Sequence, residues 1–140
     1  MEVSMAHEVS IVAVYAALNG LLLLALSYNV GRHRARTDSL VPGAMGDEIL
    51  VRAIRAHGNA SEYIPLAIVM LLILALLSAP LLLLHGLGSM FTVGRVAQAV
   101  GMFRSKHPNA IRFTGNLFTG LVYLVGSMAC FYYGFAQGVA

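Results

Sequence analysis

Charge is what this sequence has least of. Lys and Arg number nine and Asp and Glu six in 140 residues, 11% of the chain, against 59% apolar residues and a mean hydropathy of +0.78. A soluble domain carries roughly 25% charged residues to hydrate its surface, so that class is excluded. Disorder is excluded as well, because the chain has much to bury and a net charge of only +3. The single cysteine, Cys130, rules out an internal disulfide framework and a cysteine-rich zinc site. In an apolar stretch it reads as a packing residue. Five histidines, His7, His33, His57, His85 and His107, show no metal-ligand spacing and read as interfacial side chains, so no metal is expected. Neither a repeat nor a low-complexity tract is present. The pI near 9.4 suits nucleic acid in principle, but membrane topology explains so small a charge on so oily a chain. What remains is one integral membrane domain.

Four apolar stretches follow one another. Val9 to Gly31 carries no charge and spans about 34 Å as a helix, enough for the roughly 30 Å of a bilayer core. It is too long for a signal peptide, and its leader is acidic rather than basic. Tyr63 to Gly94 is uncharged and too long for one span. Ser78-Ala79-Pro80 is the expected break, since proline suits a first helical turn; His85-Gly86-Leu87-Gly88 is the alternative. Phe113 to Ala140 is the last uncharged stretch. The expected helices are therefore 9–36, 47–77, 80–104 and 108–137, an all-α membrane four-helix bundle. Thr37 to Gly46 is the one linker-like segment. Gly134 and Gly138 form a GxxxG pair, which lets membrane helices approach closely. Tyr123, Phe131, Tyr132 and Tyr133 suit helix packing and an outer interfacial belt.

Orientation follows from the basic residues. Arg32, Arg34, Arg36, Arg52 and Arg55 flank the first connection, and Arg104, Lys106 and Arg112 flank the third. The middle connection and both termini have none. The positive-inside rule then makes the basic connections cytoplasmic and puts both termini on the other side.

The chemistry concentrates in Arg52-Ala-Ile-Arg55-Ala-His57-Gly-Asn59-Ala-Ser-Glu62-Tyr63-Ile-Pro65. At 3.6 residues per turn Arg52, Arg55, Asn59 and Glu62 share one stripe, with Tyr63 beside it. Glu62 is the last charge before the oil, where a carboxylate faces a bundle interior or a polar cavity. Arg55 is one possible partner for it. Arg95, deep in the third helix with Gln98 one turn on, must face protein, with Glu62 again a candidate partner. Arg104 and Lys106 suit plain cytoplasmic anchoring, whereas Arg112 opens a long uncharged helix on the side of the Arg55–Glu62 stripe. Guanidinium groups bind carboxylates or phosphates through planar bidentate forks. With one acid and one amide added, the set describes a small zwitterionic, multiply anionic ligand such as a peptide.

Arg55-Ala-His-Gly-Asn59-Ala-Ser-Glu62-Tyr63-Ile-Pro65 resembles the R-A-x-x-N-x-x-E-[YF]-x-P signature of the MAPEG family, membrane-associated proteins in eicosanoid and glutathione metabolism. The resemblance extends to the length, the four spans and the two basic connections. It implies a homotrimer of four-helix protomers with glutathione bound between neighbours near the cytoplasmic side. In that scheme Arg55 binds a glutathione carboxylate or the backbone around it, Asn59 the amide region and Glu62 the γ-glutamyl ammonium, while Tyr63 lines the site. Arg32 or Arg34 resembles the arginine supplied from the end of the first helix. Arg112 resembles the residue that stabilises the glutathione thiolate for attack on a lipophilic electrophile or a hydroperoxide from the bilayer, the basis for expecting a transferase or peroxidase.

Two departures stand out. Gln98 and Met102 occupy positions where the leukotriene-synthase branch supplies tyrosines, and Ser105 to Ile111 is a longer connection than in that branch. A non-catalytic relative binding a lipid or a partner protein is the alternative reading. A small transporter is disfavoured, because the chain has no paired repeats or broken-helix pairs. For a bacterial protein the location implied is the inner membrane.

Overall fold

The computed structural model describes residues 2–37, 47–105 and 107–138. It consists of four helices, α1 (Glu2–Thr37), α2 (Glu48–Leu76), α3 (Leu81–Arg104) and α4 (Ala110–Gly138). Most of the linker-like segment, 38–46, and Lys106 lie outside the described residues. The helix α1 begins at Glu2 rather than near Val9. The leader Glu2-Val-Ser-Met-Ala-His-Glu8 is rich in good helix formers, and Glu8, at 6% exposure, is drawn into the packed bundle. The start of an apolar run marks where hydrocarbon begins, not where helix begins.

Local chemistry sets the other ends. The Asp47 carboxylate accepts from the backbone N–H of Ile49 at 2.9 Å and Leu50 at 3.2 Å, satisfying two orphan donors of α2. At the far end Ala79 N–H donates to Leu74 C=O and Ser78 N–H to Ala75 C=O, with Ser78 left-handed at φ 52. This is the Schellman arrangement, with serine where glycine is usual, and Pro80 then opens α3. The break therefore lies at Ser78-Ala79-Pro80, and the His85–Gly88 alternative falls inside α3. Pro65 sits within α2 without interrupting it.

Both α2 and α3 pack against all three other helices, while α1 and α4 do not pack on each other. The helices α1, α2 and α4 are each long and apolar enough to cross a membrane. The helix α3 carries polar groups in its middle and hides them inside the bundle, with Arg95 at 2% and Gln98 at 3% exposure. Large apolar side chains such as Leu82, Leu24, Phe113 and Phe131 point outward instead, as a lipid solvent permits. The chain is a membrane-embedded all-α bundle.

Glycine lets backbone meet backbone along the seam between α3 and α4. A Cβ at Gly115 would lie 2.6 Å from the Gln98 backbone nitrogen and 2.7 Å from the Gly94 carbonyl oxygen. One at Gly101 would lie 2.6 Å from the Arg112 nitrogen. Small residues at these positions let two backbones touch, which brings Gln98 and Arg112 to facing positions. Gly134, by contrast, meets nothing within 4 Å.

Candidate functional site

Two cavities flank this seam at the basic end of the bundle, and Arg112 lines both. The outer cleft, about 450 Å³, is walled by Glu48, Val51, Arg52, Arg55, Met102, Ser105 and Arg112. The inner cavity, about 250 Å³, is walled by Asn59, Tyr63, Gln98, Arg112, Asn116, Thr119 and Gly120. Together they gather motif residues from α2 with residues of α3 and α4 far away in sequence.

Arg112 is placed by Asn109. The Asn109 side-chain oxygen accepts from the Arg112 backbone N–H at 3.0 Å, capping α4, while its NH2 donates to the Gly101 carbonyl at 2.7 Å, pinning the cap to α3. A cation in the first turn opposes the helix macrodipole, and no acidic residue accompanies it there. The electrostatics of α4 itself therefore do not favour an arginine at this point.

The outer cleft is cationic. Arg52 is held across its mouth, donating from Nε to Glu48 C=O at 3.2 Å and from a terminal nitrogen to Phe103 C=O at 3.4 Å. Arg55 and Arg112 have no hydrogen-bonded side-chain partner among the described residues, so their forks remain available.

The inner cavity is organised around Arg95, whose partners differ from the expected Glu62. Its guanidinium donates to Asn59 Oδ1 at 2.9 Å and Thr119 Oγ1 at 2.6 Å. It also lies 5.1 Å from the centre of the Tyr63 ring and 5.8 Å from that of Phe91, within cation–π reach. Glu62 is exposed on the outer face of α2, and it pairs with neither Arg95 nor Arg55 among the described residues. The helical stripe is thus divided. Asn59 turns in toward α3, and Arg55 and Glu62 turn out beside Leu66 and Val69, both exposed. The reason is azimuthal: Asn59 faces the buried cation, and Arg55 and Glu62 are offset from it by about 40° and 60° in the same direction around the helix, which carries them to the outer edge.

Tyr63 is fixed from α4. The Tyr123 hydroxyl donates to the Tyr63 carbonyl at 2.7 Å, and the two rings meet edge to face at 5.6 Å. Arg32 and Arg34 line neither cavity, as α1 packs on α2 and α3 but, among the described residues, not on α4. Arg32 is exposed and donates to Asn29 Oδ1 at 3.5 Å. Met102 and Gln98, the departures at tyrosine positions, each line one cavity.

Sequence reasoning missed Asn116 and Thr119. They follow Arg112 by four and seven residues, so a helical-wheel reading of α4 started from that arginine finds the stripe.

Comparison with known proteins extends this picture. The MAPEG family model matches residues 12–132. The chain is similar to inner membrane protein YecN of Escherichia coli K12, 39% identical over 89 residues, which is 64% of this chain and 67% of that protein. It is also similar to protein sll1147 of Synechocystis, 27% identical over 116 residues, covering 83% of this chain and 84% of that one.

Proposed function

Because the chain belongs to the MAPEG family, we propose that it binds glutathione at the basic end of the bundle and presents its ionised sulfur to lipophilic electrophiles or hydroperoxides from the bilayer. The observation that carries this is the convergence of Arg55 and Asn59 from the α2 motif with Arg112 from α4 on two cavities that share Arg112. The outer cleft, at about 450 Å³, falls within the roughly 300–1,000 Å³ of small-molecule sites. Its free guanidinium forks suit the tripeptide's carboxylates.

In this reading Arg55 takes a carboxylate, Asn59 the amide region and Glu62 the γ-glutamyl ammonium, with Tyr63 forming a wall. Arg112 favours thiolate over thiol, because a nearby cation in a dry site lowers a thiol's affinity for its proton. Glu62 and Arg55 lie on an exposed α2 face, so a second and a third copy of the chain complete the site. Arg32 or Arg34 then enters from a neighbour. The resulting homotrimer lies in an inner membrane, with basic connections cytoplasmic and termini on the opposite side.

Gln98 and Met102 support a second reading, a relative that binds lipid or a partner without catalysis, since neither supplies a phenol to the site. One experiment separates the two. Purified protein in detergent is titrated with glutathione, with thiolate absorbance followed in the ultraviolet and complex mass measured. Catalysis predicts saturable thiolate that disappears in Arg112→Ala while binding weakens in Arg55→Ala and Glu62→Ala. Binding without thiolate favours the second reading, and absence of binding refutes the first.

A further inference from the structure

Arg95 is a membrane-buried cation, 2% exposed, and no carboxylate pairs with it among the described residues. Its acceptors are an amide oxygen and a hydroxyl, and its other neighbours are ring faces. Neutral acceptors satisfy hydrogen bonds but leave the charge itself uncompensated, a costly condition in a low-dielectric interior.

The same bonds determine what the inner cavity offers. Asn59 gives its oxygen to Arg95, so its NH2 is the end left for a ligand. Thr119 accepts from Arg95 and donates to the Gly115 carbonyl at 2.9 Å, which spends its hydrogen inside the protein. The Gln98 carbonyl oxygen is buried, without a partner among the described residues, so the NH2 is the end of this amide left to face the cavity. Arg112 adds a guanidinium, and no carboxylate lines the cavity. Asn116 and the Tyr63 hydroxyl can donate as well, so the lining offers several donors and no charged acceptor, while a second cation stands behind Asn59, Thr119 and Tyr63.

We propose that the inner cavity is an anion site created by Arg95, a positioning residue that orients Asn59 and supplies the field holding a bound thiol's sulfur as thiolate, with Arg112 contributing from the cavity wall. The identity of that anion rests on the glutathione reading; the preference of the cavity for a negative, hydrogen-bond-accepting group does not. Arg95 has no counter-charge among the described residues, and the ligand's negative sulfur provides one.

Two measurements on purified protein in detergent test this. In the first, wild type, Arg95→Met and Arg95→Lys are titrated with glutathione across pH and, separately, with S-methylglutathione, which has no ionisable thiol. The expected result in Arg95→Met is modestly weaker S-methylglutathione binding, because Asn59 loses its orientation, together with a rise of about one unit or more in the bound thiol's pKa, which loss of Asn59 orientation alone would not produce. Arg95→Lys, which keeps the charge, recovers part of that shift. A bound thiol that titrates identically in wild type and Arg95→Met overturns the proposal while leaving glutathione binding intact. In the second, thermal stability is followed with iodide, a single polarizable anion, against gluconate at matched ionic strength. Iodide is expected to stabilise wild type and Arg95→Lys but not Arg95→Met. No iodide effect on wild type refutes the anion cavity. Iodide stabilisation without glutathione binding keeps the cavity and refutes the glutathione reading. Should Arg95→Met fail to fold, Arg95→Lys and the wild-type iodide response still decide the matter.

Discussion

The contact between α3 and α4 at Gly115 permits a direct test of how the site is held. In Gly115→Ala the new methyl would sit 2.6 Å from the Gln98 nitrogen, 2.7 Å from the Gly94 oxygen and 2.9 Å from the Gln98 Cα. All three are backbone atoms of a neighbouring helix, so no flexible side chain can yield. Ordinary contact begins near 3.4 Å, and the helices must part by about 0.8 Å. A gap of that order forfeits a quarter to a half of the dispersion energy along the seam, and overpacking typically costs about 1–3 kcal/mol. Alanine's better helix propensity returns only about 1 kcal/mol. At Gly120 on the same helix a Cβ meets nothing within 4 Å, so Gly120→Ala receives the propensity gain without the clash. Both variants receive the same propensity gain, so they should differ by the clash alone, about 1–3 kcal/mol in unfolding free energy, with Gly115→Ala the less stable. Thermal or denaturant unfolding of the detergent-purified protein measures this. Equal stability of Gly115→Ala and Gly120→Ala would refute the backbone-contact argument.

Asn109→Ala removes both the α4 cap and the tie to Gly101, and it should cost about 2 kcal/mol by unfolding. Asn109→Asp keeps the cap and loses only the tie, so its unfolding midpoint should fall between those of wild type and Asn109→Ala. Asp47→Ala leaves two α2 amides uncapped and should cost about 1 kcal/mol, with Asp47→Asn close to wild type in the same assay.

Much of the architecture is legible in the primary structure because a bilayer imposes it. Uncharged runs beginning at Val9, Tyr63 and Phe113 have to be helical where no water can satisfy a backbone, and Pro80 punctuates the middle one. The motif Arg55–Pro65 is local, so its spacing survives translation into structure. Glu8 shows the limit of such reading. Charge makes it look like a boundary, yet it is buried within α1, because helix propensity and packing act independently of the oil–water boundary.

The site itself is only half legible. Periodicity fixes where a residue lies around its own helix, so Arg52, Arg55, Asn59 and Glu62 could be grouped from sequence. It cannot fix how that helix is turned against its neighbours. Asn59, and not Glu62, became Arg95's partner because α2 presents its Asn59 edge to α3. Thr119 joined them because Gly94, Gly101 and Gly115 draw α4 onto α3. The one-dimensional chain thus determined the membrane class, the helices and the chemical groups at hand. Helix rotation, set by close packing between residues distant in sequence, decided which of those groups enclose a common space.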